Sequence, residues 1–228
     1  MYQPMLFAHW KQVRHVLLPF VVASFALPLL AVQSMGTPPG AGTVPVEVYQ
    51  YVWPSQVWLP LFPVLAGAIG VLLALTAWNW DHKLGHVYAL SLPVARWEYV
   101  LLKMGAGMVL ALVPAVALWI GAQVAAASVS LPPGLNAYPN QLALRFFAST
   151  LLLYAFFFAL GAGTVKTTVW VLTAFFGALV AAELLGDVAV LYFSDLQGVS
   201  FLELATDWLV EAGGPFEVFV GNWTLIDV

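Results

Sequence analysis

The apolar blocks of this chain constrain its fold more than any other feature. Val57 to Trp78 contains no Asp, Glu, Lys or Arg, and neither does Val16 to Val32. A bilayer core offers no water to backbone N–H and C=O groups, so a segment crossing it must be a helix or part of a closed barrel. Barrel strands run about 10 residues and alternate in polarity. These blocks are longer and do not alternate. They read as helices. Composition agrees, with 62% of the 228 residues hydrophobic, 8% charged and a mean hydropathy of +0.92, against about 25% charged residues in a soluble domain. The fold class expected is all-α, a polytopic membrane helix bundle forming one domain. The chain has no cysteine, which excludes disulfides, thiol catalysis and Cys-ligated metal sites.

Five spans are expected, over about 16–32, 57–78, 99–129, 142–165 and 168–185. Before the first, Met1 to Arg14 mixes Met5, Leu6, Trp10 and Val13 with Lys11, Arg14, His9 and His15. That pattern fits an amphipathic helix lying at the membrane surface. Pro19 and Pro28 should bend the first span. A signal peptide fits less well, because no small-residue cleavage site follows. Gly36 to Gly40 marks a loop, and Tyr49, Tyr51 and Trp53 look like an interfacial belt. Lys and Arg occur at 11, 14, 83, 96, 103, 145 and 166. With a cytoplasmic N-terminus, all but Arg145 fall on or beside inner segments, as the positive-inside rule requires. Arg145 then snorkels outward. Residues 186–228 carry seven acids and no base, and read as an outer-face segment with one or two amphipathic helices. A sixth span is not apparent.

The interval Asn79–Glu98 is the longest polar-studded stretch between two apolar blocks. Asn79 or Asp81 can cap a short helix whose apolar positions Leu84, Val87, Tyr88 and Leu92 recur every three or four residues. Pro93 stops it, and Arg96 leads into the third span. His82 and His86 have metal-ligand spacing, but a zinc site needs three or four ligands, so no metal site is assigned. Surface or interface histidines are the simpler account. Glu183 and Asp187, four apart near the outer end of the fifth span, are candidates for an outer gate, since ionisable groups in lipid are costly. Headgroup snorkelling explains them as well. Gly161 to Thr167 resembles a phosphate-binding loop only superficially, because Val165 stands where the Gly before Lys belongs. It reads as a turn. Gly67, Gly70, Gly105, Gly107, Gly161 and Gly163 read as close-packing positions, and Asn222-Trp223-Thr224 as a chance glycosylation pattern.

Asp81, Gly85, the run Leu90-Ser91-Leu92-Pro93-Val94-Ala95-Arg96 and Lys103 resemble a signature of type-2 ABC transporter permeases: acidic-x3-Gly, Leu-x-Leu-Pro-Val-small-Arg, then Lys. The resemblance implies that the interval between the second and third spans is a coupling helix, docked on a cytoplasmic ABC ATPase subunit dimer. It further implies a second permease copy or a homologous permease as partner, and ATP and Mg bound by the ATPase with no cofactor in this chain. The ATPase-facing residues implied are Asp81, His82, Leu84, Gly85, His86, Tyr88, Leu92, Pro93 and Arg96. The family's usual Glu and Gly-Thr appear here as Asp81 and Gly85-His86, and either its sixth span is missing from this sequence or this member lacks it. On this view the chain is no enzyme. It is a permease of the inner or plasma membrane, in the lipid bilayer and without nucleic-acid partners. Few polar groups lie in the spans, which favours a hydrophobic or amphipathic exported substrate. Two other classes stay open: a polytopic membrane enzyme using Asp81, His82 and His86, and a non-transporting scaffold.

Overall fold

The computed structural model of the chain describes residues 2–33, 58–83, 95–129, 136–163, most of 166–181, 214, 216–220 and 223–227. Four long helices dominate: α1 (Tyr2–Gln33), α2 (Leu61–Lys83), α3 (Arg96–Ala127) and α4 (Pro139–Gly161). Each is long and apolar enough to cross a membrane, over His9–Gln33, Leu61–Lys83, Trp97–Ala127 and Pro139–Gly161. These four helices mark the chain as a membrane protein and agree with the helical fold class. Two strands of two residues each, β1 (Asn136–Ala137) and β2 (Ile226–Asp227), were not expected from the sequence. A short helix, α5 (Glu217–Val220), lies between β1 and β2 in chain order, after α4.

The helix ends follow local chemistry. Leu61 N–H donates to the Trp58 carbonyl across the turn that starts α2. Ala95 precedes α3 in an extended conformation, and Glu98 sits in the first turn, where a negative charge favours the helix dipole. Ser128 closes α3, its hydroxyl donating to Ala125 O at 2.7 Å. Pro139 opens α4, a position where its missing N–H would have had no helical partner.

Three boundaries differ from the sequence reading. α1 is one helix from Tyr2 to Gln33, not a surface helix followed by a separate span. Arg14 and His15 are both exposed and do not interrupt it, while Val13 and Leu17 beside them are fully buried. α2 runs on to Lys83, so Asn79 and Asp81 belong to its last turns and do not cap a new helix. α3 starts at Arg96, before the expected Tyr99. Of the expected fifth span, residues 169–174, 177–178 and 180–181 are described, and all of them are helical. Most of the expected outer-face segment lies outside the described residues.

The chain divides into two compact units, Met1–Ala159 with Trp223–Val228, and Leu160–Asn222. In the first, α1 and α3 run parallel. Gly121 of α3 packs on the Phe25 backbone, where an added Cβ would collide with the Phe25 carbonyl, and His9 lies near Lys103 at the other end. α2 and α4 run the opposite way: Gly67 and Gly70 face Leu153 and Thr150, Trp78 meets Phe158, and Asn140 meets Trp119. Gly67 and Gly70 therefore pack helices, as expected, and Gly121 does so without having been foreseen. The core is built from Val13, Leu17, Ile69, Leu73, Leu118 and Phe146, all fully buried. Apolar side chains such as Val22, Val64, Val116 and Leu144 stay exposed, as suits helices whose solvent is lipid. β2 pairs antiparallel with β1, Ala137 opposite Ile226 and Asn136 opposite Asp227. In the second unit, Glu217 N–H donates to Gly214 O ahead of α5, and the Phe216 and Phe219 rings lie 6.3 Å apart.

Candidate functional site

Four helices meet at one buried polar cluster. Asp81, near the end of α2, is 2% exposed. Its carboxylate accepts from the Lys103 ammonium of α3 at 2.5 Å and from the Tyr99 hydroxyl at 3.1 and 3.2 Å. Tyr99 and Lys103 are four apart on α3 and so share one face, and the ammonium also lies 3.4 Å from the Tyr99 hydroxyl. Aromatic rings complete the enclosure. The Lys103 nitrogen stands 4.5 Å from the centre of the Trp78 ring and 5.2 Å from that of Tyr99, inside the range of cation–π attraction.

The other two helices support this cage. The Trp78 indole N–H donates to the Phe158 carbonyl of α4 at 2.9 Å, and the two rings lie 5.0 Å apart. Tyr154 of α4 sends its hydroxyl to the Met104 carbonyl at 3.1 Å and that of Lys103 at 3.4 Å. It reaches them because Gly107 has no Cβ; one placed there would overlap the Tyr154 hydroxyl. From α1 comes His9, 5% exposed. Its imidazole lies beside the Leu73 backbone and within electrostatic reach of the Lys103 charge, and its Nε2 has no hydrogen-bond partner among the described atoms.

Such a pair is stable because neither charge is left alone. Removing one partner of a buried ion pair typically destabilises a protein by about 3–5 kcal/mol. The cluster therefore fixes α2 to α3 at their shared end, on either side of the 84–94 interval. Chemically it holds a charge in place; among the described residues there is no group of three His, Cys, Asp or Glu that would hold a metal.

The sequence-derived candidates are placed as follows. Asp81 is turned inward, onto Lys103 and Tyr99, whereas docking on a partner would need it outward. His82 is half-buried, 6.5 Å from the Trp78 ring, and lines an open groove with Leu75, Thr76, Asn79 and Lys83. Arg96 is the first residue of α3. Leu84, Gly85, His86, Tyr88, Leu92, Pro93, Glu183 and Asp187 lie outside the described residues. Trp78, Tyr99, His9 and Tyr154 were not foreseen. A signal for the cluster did exist: Lys103 lies inside an apolar span, and a charge there calls for a partner. Compared with protein families, curated proteins and solved structures, the chain matches none.

Proposed function

We propose that this chain is the membrane-spanning permease subunit of an ABC transporter, paired with a second permease and driven by separate cytoplasmic ATPase subunits. The observation that carries the reading is the Asp81–Lys103 pair. Both residues belong to the signature through which the sequence resembles type-2 permeases, and they meet where α2 and α3 converge. A segment held between two clamped helix ends transmits a push to those helices. A segment on slack ends absorbs it. ATP-driven closure of the ATPases would then tip the bundle between two states, to the extent that the partner binds one state better.

Topology supports the same reading. Lys83, Lys103 and the start of α3 lie at the end of the bundle where α4 finishes, and β1 lies at the end where α4 begins. α4 is about 34 Å long at 1.5 Å per residue, enough to separate the two faces of a bilayer core. β2 pairs with β1, so the chain leaves α4 at one face and comes back at the other. The fifth span expected over 168–185 is the crossing that this reading requires. A cytoplasmic N-terminus puts the basic end inside. The exported cargo proposed is hydrophobic or amphipathic.

The test is co-expression of this chain with the genes that flank its own, followed by purification of the chain and a search for an ATPase bound to it. An ATPase that co-purifies, and is lost when Gly85→Trp fills the 84–94 interval while the permease still folds, supports the reading. An ATPase indifferent to that substitution, or none, removes it. Asp81→Ala is a poorer probe, because it strands Lys103.

A further inference from the structure

We propose that the groove on α2 lined by Leu75, Thr76, Asn79, His82 and Lys83 seats one anionic phospholipid, its phosphate at Lys83 and Asn79 and its acyl chain along Leu75. The site requires only that α2 cross the membrane, and so goes beyond the permease reading.

Helical spacing puts the five side chains on one stripe, while Ala74, Ala77 and Asp81 on the other side of α2 are buried in the bundle. Leu75, Asn79 and Lys83 are exposed, and Thr76 and His82 half-buried. The stripe changes character along its length. Leu75 is 64% exposed, and Thr76 spends its hydroxyl proton on the Leu72 and Leu73 carbonyls at 2.8 and 3.0 Å, so the deep end offers apolar surface. The Asn79 amide, His82 imidazole and Lys83 ammonium follow toward the helix end. α2 has 23 residues, about 34 Å at 1.5 Å per residue, against a hydrocarbon core of about 30 Å. Asn79, one turn from the end, therefore stands at the boundary of hydrocarbon and headgroups. No hydrogen bond or ion pair to a described residue occupies its amide or the Lys83 ammonium. A polar group at that depth is costly without a hydrogen bond, and a lipid phosphate supplies the acceptor.

Charge selects an anionic lipid. Among the described residues at this end of the bundle, Lys11, Arg14 and Lys83 are exposed against one exposed acid, Glu98. The groove itself contains no carboxylate. A choline or ethanolamine headgroup would bring a second cation beside Lys83. A phosphate diester with a neutral headgroup leaves one net negative charge for it.

The absence of cysteine lets a single bimane label report the groove. The label sits at Leu75→Cys in the full chain, solubilised in a neutral maltoside and titrated with phosphatidylglycerol or phosphatidylcholine carrying a nitroxide on the acyl chain. A label at Leu101→Cys, 56% exposed on α3, shows that lipid reaches the protein. Half-quenching at Leu75→Cys is expected at about fivefold less phosphatidylglycerol than phosphatidylcholine, the effect of one basic side chain at an anionic lipid. Lys83→Gln removes that preference, and Lys83→Arg keeps it. Asn79→Ala leaves every charge in place and raises the phosphatidylglycerol needed by about fivefold, the effect of one hydrogen bond. Equal midpoints for the two lipids overturn the proposal, as does an unchanged midpoint in Asn79→Ala. So does a loss of preference with Lys11→Gln as large as with Lys83→Gln, which means a diffuse field over the basic end. A Leu75→Cys label that neither lipid quenches, while Leu101→Cys is quenched, means that a second copy of the chain covers the groove, and also overturns it. The permease reading fails separately, if no ATPase joins the chain, and the lipid titration is unaffected.

Discussion

Lys103 and Asp81 depend on each other because both are out of water. Lys103→Met leaves the Asp81 carboxylate buried and unpaired, and should lower the stability of the detergent-solubilised protein by about 3–5 kcal/mol. Adding Asp81→Asn should recover much of that loss, since a neutral pair has no charge to desolvate. Chemical unfolding of the two single variants and the double variant measures the coupling. Additive losses would mean that the charges do not share one site. Tyr154 and Gly107 form a second dependent pair. Tyr154→Phe removes one buried hydrogen bond and should cost about 1 kcal/mol, whereas Gly107→Ala forces a Cβ into the hydroxyl and should cost about 1–3 kcal/mol. Combined, they should cost less than their sum in the same unfolding assay, because the phenyl ring gives back part of the space. Much of this was hidden in the sequence. Asp81 stood out as a charge between apolar blocks, and its neighbours on paper were solvent-facing polar residues. What turns it inward is Lys103, twenty-two positions away, and no local pattern encodes that meeting. His9 and Tyr154 were less legible still, since each matters only for what another helix brings to it.

At the scale of elements, apolar runs located all four long helices and misplaced their ends. α1 outran its expected limits in one direction and α2 in the other, for one physical reason. Polar residues at a helix end are read as a boundary, yet Lys11, Arg14, Asn79 and Lys83 sit on exposed faces of turns whose opposite faces are packed. Helix continuity is decided by the buried face. The two-residue ladder was invisible for another reason: Asn136–Ala137 and Ile226–Asp227 are too short to alternate, and their pairing spans 89 and 91 positions. It can be tested directly. In an antiparallel ladder, opposed Cα atoms lie about 4.5–5.5 Å apart, within the range a disulfide spans. Cysteines replacing Ala137 and Ile226 should therefore oxidise to an intramolecular crosslink in the otherwise Cys-free chain, seen as a mobility shift that reductant reverses. A second pair at Lys83 and Ile226, at opposite ends of the bundle, is the control. Equal crosslinking of both pairs would mean that the tail explores the surface and the ladder is not fixed.

For the whole molecule, the ladder and the ion pair mark opposite ends of the same bundle, and this makes the membrane topology a single measurable quantity. The basic residues Lys83 and Lys103 gather where α2 ends and α3 begins, while Asn136 and its partner Asp227 lie beyond α3 and before α4. A bundle in a bilayer cannot present both ends to one side. Cysteines placed singly at Lys83, Glu98 and Asn136, all exposed positions, should separate into two groups when intact cells are treated with a membrane-impermeant maleimide. Asn136→Cys should react from outside, and Lys83→Cys and Glu98→Cys only after the membrane is opened. The reason for that sign is charge: the anionic cytoplasmic leaflet and the insertion machinery both retain Lys and Arg on the inner side, and α4 itself carries one Lys or Arg, Arg145, in its second turn. A cysteine replacing Asp227 extends the argument past α4, because it must react with Asn136→Cys if an odd number of crossings joins α4 to β2. Labelling of Asp227→Cys with the Lys83 group would break the ladder, the fifth crossing and the two-sided permease together, since all three rest on the same return of the chain to the face it left at α3.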